Sequence, residues 1–121
     1  MTSAAGKEAL KQSLFPGGIP RLWCPLLTHY DDSGNIDLPR MNAHFRHISP
    51  WVRGFLIPGT TGDGWTLDDG ETETVVRFAL DMARENDSRI LIGVLRNDTE
   101  NVLGLMDRIF GILMEVTGRK E

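Results

Sequence analysis

The chain has 121 residues, enough for one domain of about 100 to 150 residues and too few to close an eight-fold β/α barrel, which takes about 250. With 40% hydrophobic, 25% charged and 7% aromatic residues, the composition excludes disordered, collagen-like and membrane-embedded classes. The net charge is −4, and no run of Lys or Arg forms the basic stripe that nucleic acid or an anionic membrane requires, so neither is expected as a partner.

Cys24 is the single cysteine. It has no partner for an internal disulfide and no Cys/His spacing for zinc, which fits a reducing, cytoplasmic setting. Residues 1–14 carry Lys7, Glu8 and Lys11 and lack the apolar centre of a signal peptide. No apolar run is long enough to span a bilayer, so neither export nor membrane anchoring is expected.

In chain order, residues 3–14 are compatible with a helix, and Phe15-Pro16-Gly17-Gly18 breaks it off, so that 1–18 reads as a helical lead-in to a domain over 19–121. Residues 19–27 (IPRLWCPLL) read as a short buried strand with Pro25 at or just past its end. The turn residues 29–35 follow, and Asp37 then caps a helix over about 38–48 with Pro39 in its first turn. Residues 51–58 (WVRGFLIP) form a second strand that runs straight into Gly59-Thr60-Thr61-Gly62. Asp68 stands three residues before Glu71 as a capping box. After it, Thr72, Val75, Val76, Ala79, Leu80 and Ala83 recur at helical spacing opposite Glu73, Arg77, Asp81 and Arg84. Residues 89–95 (RILIGVL) make a third strand, and beyond Asn97-Asp98-Thr99 a third core helix carries apolar residues from Val102 to Val116, with Gly118 as its stop. No linker, low-complexity tract or repeat interrupts this order.

Alternating strands and helices imply parallel strands joined by right-handed crossovers, an α/β unit of three successive βα repeats. In such folds chemistry sits on loops at the carboxyl ends of strands, here residues 25–35, 59–67 and 96–99. The tetrapeptide 59–62 is the most informative of these. Two glycines let the backbone turn sharply and two hydroxyls project beside freed amides, which suits a small carboxylate or carbonyl. A plain strand-to-helix turn, with the threonines bonded to neighbouring backbone, explains the same four residues equally well. Neither phosphate-loop pattern is present.

The strand with its Pro-ended turn, Gly34-Asn35-Ile36-Asp37 before the next helix, Gly59-Thr60-Thr61-Gly62-Asp63 before a capped helix, and Asn97-Asp98-Thr99 after Ile92-Gly93 together resemble the dihydrodipicolinate synthase and N-acetylneuraminate lyase family. The resemblance is collinear over about residues 18–102. It implies the first part of a (β/α)8 TIM barrel and a class I aldolase-type lyase acting on pyruvate or a related 2-keto acid through a lysine Schiff base. No metal or other cofactor is implied. The implied partners are the keto acid and, in a complete form, further copies of the same chain. Thr60 matches the family's proton-relay hydroxyl and is the implied catalytic residue. Thr61, with Gly59 and Gly62, matches the part that holds the keto acid's carboxylate, in keeping with the affinity of loop amides for carboxylates.

The departures are as telling. The lysines are Lys7, Lys11 and Lys120, all in polar terminal segments, whereas a Schiff-base lysine needs a desolvated site that keeps its amine neutral. The only tyrosine, Tyr30, does not match the family's catalytic tyrosine. The chain therefore resembles the front of a lyase without its nucleophile, as a truncated product or a partial sequence, and is expected to be catalytically silent alone. A shortened, non-catalytic paralogue that oligomerises or binds carboxylates is the alternative. Cys24 stands where the family has threonine and Arg21 where it has a small residue. Arg21 either reads a second carboxylate or reaches solvent from the strand start. Asp63 replaces glutamate, and Trp65 adds an aromatic at the mouth. Cys24, with no neighbouring base, reads as inert. His44 and His47 lack a third ligand and read as surface residues, as do His29, Tyr30 and the Asp31-Asp32 pair.

Overall fold

The computed structural model describes residues 3–118. Its elements run α1 (Ala4–Leu14), β1 (Trp23–Pro25), α2 (Leu38–Ile48), β2 (Gly54–Leu56), α3 (Asp69–Asn86), β3 (Arg89–Leu91) and α4 (Thr99–Thr117). The three strands form one parallel sheet in the order β1-β2-β3, with Cys24 opposite Phe55 and Phe55 opposite Ile90. This is the βα alternation expected from the sequence, an open α/β sheet rather than a closed barrel.

The helix boundaries follow side-chain chemistry. Asp37 accepts a hydrogen bond from the Arg40 amide, and proline sits in the first turn of α2. Asp68 and Glu71 cap α3 reciprocally, and Asp98 caps α4 through the Asn101 amide; each supplies an acceptor to amides that have no partner within the helix. Gly118 ends α4 in the left-handed region at φ 72°, where glycine pays no Cβ penalty.

The strands are shorter than their apolar runs. Of residues 19–27 only Trp23–Pro25 pair as strand, and Ile19, Leu22 and Leu27 are exposed while Leu26 is buried. The 51–58 and 89–95 runs likewise contribute three residues each. A parallel ladder exists only where a neighbour runs alongside, and β1 and β3 each pair on one side only. One bond past Pro25, from the Leu26 amide to the Leu56 carbonyl at 3.3 Å, closes the β1 ladder.

The core lies in two layers. Phe55 and Ile57 of the β2 segment pack with Met41 and Phe45 of α2 and with Val75 and Ala79 of α3. On the other side of α3, Val76 meets Leu105, Ile109 and Ile112 of α4. The remaining faces are open. No side chain of α1 is buried, and Leu103, Phe110 and Met114 of α4 are exposed, in keeping with a helix that is apolar nearly all round. No helix among the described residues is long and apolar enough to cross a membrane.

Candidate functional site

All three loops singled out above lie at the carboxyl ends of the strands and meet around residues 59–67. Thr28, just after β1, donates its hydroxyl to the Gly62 carbonyl at 2.6 Å. Tyr30 donates its phenol to Asp63 Oδ2 at 2.9 Å. From the third loop, Arg96 donates to the carbonyls of Gly64 and Leu67 at 3.3 and 3.1 Å and to Asp69 Oδ1 at 2.9 Å. The central turn is thus tied down from both neighbours.

Within the turn the carbonyls of Gly59, Thr60, Gly62 and Asp63 are occupied. Gly59 O accepts from the amides of Gly62 and Gly64, Thr60 O from Asp63, and Asp63 O from Thr66 and Leu67. The amides of Thr60 and Thr61, by contrast, donate no hydrogen bond among the described residues. Both threonines are exposed, whereas Gly59 and Gly62 are buried. A Cβ on Gly62 would stand 2.6 Å from the Leu26 carbonyl oxygen, so only glycine lets the turn lie this close to the first loop. Asp63 holds φ at 62°, in the left-handed region that Asp tolerates better than bulkier residues. Two adjacent free amides present positive ends to an acceptor, which is the electronic demand of a carboxylate.

Two further side-chain contacts shape this turn. Trp65 donates its indole N–H to Thr60 Oγ1 at 3.1 Å, so the aromatic at the mouth orients the implied relay hydroxyl. Tyr30, which reads as a bland surface turn residue, bonds to Asp63 instead of Thr60. Its pKa is pushed up to about 12, first by burial and then by the hydrogen bond and charge of Asp63 and by Glu71. Because Tyr30 is the only tyrosine, phenolate absorbance reads it alone. We expect a midpoint well above 10, and the Asp63→Ala variant should bring it only part of the way down, since burial remains. The fold favours the neutral phenol. The stability this supplies is therefore whole below pH 10 and is lost as pH rises from there toward 12.

The other expected residues fall outside this cluster. Cys24 packs against the helix-side core, and burial raises its thiol pKa, consistent with an inert residue. Arg21 is exposed before β1 among Ile19, Pro20 and Trp51, at the opposite end of the strands from Thr60 and Thr61. His29 and His44 meet edge to face at 5.1 Å, while His29 Nε2 is buried without a partner. Burial, then His29 and His47, lowers the His44 pKa. No group of three or more metal-ligating side chains is found among the described residues. Lys7 and Lys11 lie on exposed α1, Lys11 paired with Glu8 at 3.4 Å, and Lys120 lies outside the described residues.

Comparison with solved structures places this arrangement. A dihydrodipicolinate synthase from Bacillus anthracis superposes with a TM-score of 0.68 at 20% identity, over 74% of this chain and 31% of its own. The protein CdNal from Clostridium difficile, solved in complex with mannosamine, superposes with a TM-score of 0.64 at 23% identity, over 70% of this chain and 30% of its own. The chain has an incomplete TIM-barrel-like α/β fold. It spans under a third of the length of either neighbour, and the likeness read from its motifs extends to the backbone. No family model and no curated protein matches the sequence.

Proposed function

We propose that this chain carries the carboxylate-holding part of a keto-acid site of the class I aldolase type. Pyruvate or a related 2-keto acid docks on the 59–62 turn. Its carboxylate sits on the Thr60 and Thr61 amides and the Thr61 hydroxyl, and the Thr60 hydroxyl is the proton-carrying group. The observation that carries this reading is the pair of free threonine amides in a turn whose Gly59, Thr60 and Gly62 carbonyls are occupied. The choice of a keto acid is supported by the fold shared with a dihydrodipicolinate synthase.

Chemistry of this type needs a neutral lysine amine beside the bound acid. No strand among the described residues carries a lysine, so this chain by itself binds without turnover. In a complete barrel, further strands would supply the nucleophile and the tyrosine of the relay. Amide NMR tests the reading. Pyruvate is expected to give saturable shifts at Thr60 and Thr61, with affinity lowered about tenfold in Thr61→Val, as befits loss of a hydrogen bond to a charged group. Borohydride should trap no adduct. Absence of shifts at both amides would remove the binding claim, and consumption of pyruvate would remove the claim of silence.

The half-open sheet and the exposed Leu103, Phe110 and Met114 favour a second reading, a self-associating module without chemistry, because a lone monomer seldom leaves strand edges and an apolar helix face to water. In either case the single cysteine is consistent with a cytoplasmic protein.

A further inference from the structure

Arg96 is placed unlike any other ion-paired cation among the described residues. Its side chain is only 16% exposed, and its guanidinium donates to three backbone carbonyls, those of Leu95, Gly64 and Leu67, and to the Asp69 carboxylate. The other arginines in ion pairs among the described residues have side chains that are 39% exposed or more. Two of the carbonyls belong to buried residues of the central loop, Gly64 and Leu67. The fork therefore joins the loop after β3 to the loop after β2 and to the first turn of α3.

We infer that Arg96 is the positioning residue of the carboxylate site, holding the 59–67 loop in the form that leaves the Thr60 and Thr61 amides free. The inference rests on the keto-acid reading above for what the amides bind, but its structural part stands apart from it. A planar guanidinium is suited to collecting several oxygens at once, which a lysine ammonium on a flexible stem does less well. Without it, the Gly64 and Leu67 carbonyls lose their only side-chain donor. Buried carbonyls do not stay unpaired, and the backbone donors of residues 60–67 that no bond occupies are the amides of Thr60, Thr61 and Trp65, two of which the ligand requires. Arg96 thus takes up the acceptors that would compete with the bound acid.

The rest of the fold has supports of its own. The start of α3 is fixed by the Asp68–Glu71 box, the sheet by its ladder and the core by apolar packing. Arg96→Ala should therefore fold, and its effect should be local.

The test is a pyruvate titration read at the Thr60 and Thr61 amides, together with ligand-free amide exchange at Gly62, Gly64 and Leu67, whose N–H groups make the internal bonds of the loop. In Arg96→Ala we expect affinity to fall about tenfold or more and exchange at those three amides to quicken, with α2 unchanged. Millimolar guanidinium should restore both, and Arg96→Lys should lie between. A merely structural role would lower the unfolding midpoint without selectively quickening exchange at those three amides. Unchanged affinity and exchange in Arg96→Ala would overturn the inference, as would affinity lost without rescue. If the unaltered chain fails to bind pyruvate, the keto-acid reading fails, and Arg96 is judged on exchange alone: quickened and guanidinium-restored exchange supports its positioning role, and unchanged exchange refutes it. If Arg96→Ala does not fold, Arg96→Lys carries the same comparison, because it keeps the charge and removes the fork.

Discussion

Phe45→Ala is expected to leave the chain largely unfolded at room temperature. Phe45 is fully buried, and its ring lies 4.5 Å from that of Phe55 on the central strand. Deleting a core phenylalanine costs about 3–5 kcal/mol through lost transfer energy and the cavity left behind. Whole domains are stable by only about 5–15 kcal/mol, and small ones fall at the low end. Here the loss is concentrated, because α2 buries only Met41 and Phe45. Removing one of these two anchors frees the helix that covers β1 and β2. Circular dichroism with a urea titration should show a lost or very early transition. Phe45→Leu, which keeps most of the volume, should retain a cooperative transition with a cost nearer 1 kcal/mol. A variant Phe45→Ala as stable as the parent would mean that the α2–sheet contact is not what holds this core together.

The parts of the fold legible in the sequence are those decided locally. Asp37, the Asp68–Glu71 pair and Gly118 mark helix ends through bonds spanning a few residues, and the periodicity of Val75, Val76 and Ala79 marks a buried face. Strand extent was not legible, because it is set by the neighbour. Residues 19–22 are as apolar as a strand, yet no described strand runs beside them, and Ile19 and Leu22 remain in water. The apolar run announces what a segment can bury, not how much partner it has.

The site divides the same way. Strand order and two glycines flanking two hydroxyls single out residues 59–62 as the candidate site, and the buried Gly62 against the Leu26 carbonyl shows why glycine is needed there. The groups that shape the turn were missed because they come from afar. Tyr30 reaches Asp63 across 33 positions, and Arg96 reaches Gly64 across 32. Spacing cannot announce such pairs. The only available hint was that each sits in a loop at the carboxyl end of a strand, where loops converge. Trp65 was closer to legible, since the five residues separating it from Thr60 allow a turn to bring indole and hydroxyl together.

The second large effect should come from Gly93→Ala, which tests the junction between strand packing and site. A Cβ at position 93 would lie 1.9 Å from the Pro58 carbonyl oxygen, inside any permitted contact, and the obstacle is backbone that no rotamer can clear. Ordinary overpacking costs about 1–3 kcal/mol. A backbone clash of this depth should exceed that range, because the segments after β2 and β3 must move apart. Pro58 immediately precedes the 59–62 turn, and Gly93 lies three residues before Arg96, so the displacement enters the loop from both sides. We expect a strongly lowered unfolding midpoint and, in whatever fraction stays folded, loss of the slow exchange at Gly62 and Gly64. Gly104→Ala is the matched control. A Cβ there meets nothing within 4 Å, and in a helix interior alanine is favoured over glycine by about 0.5–1 kcal/mol, so the same substitution should raise stability. If both variants melted alike, the close approach of Gly93 to Pro58 would not be a feature the folded chain depends on, and the coupling of the third strand to the 59–62 turn would have to run through Arg96.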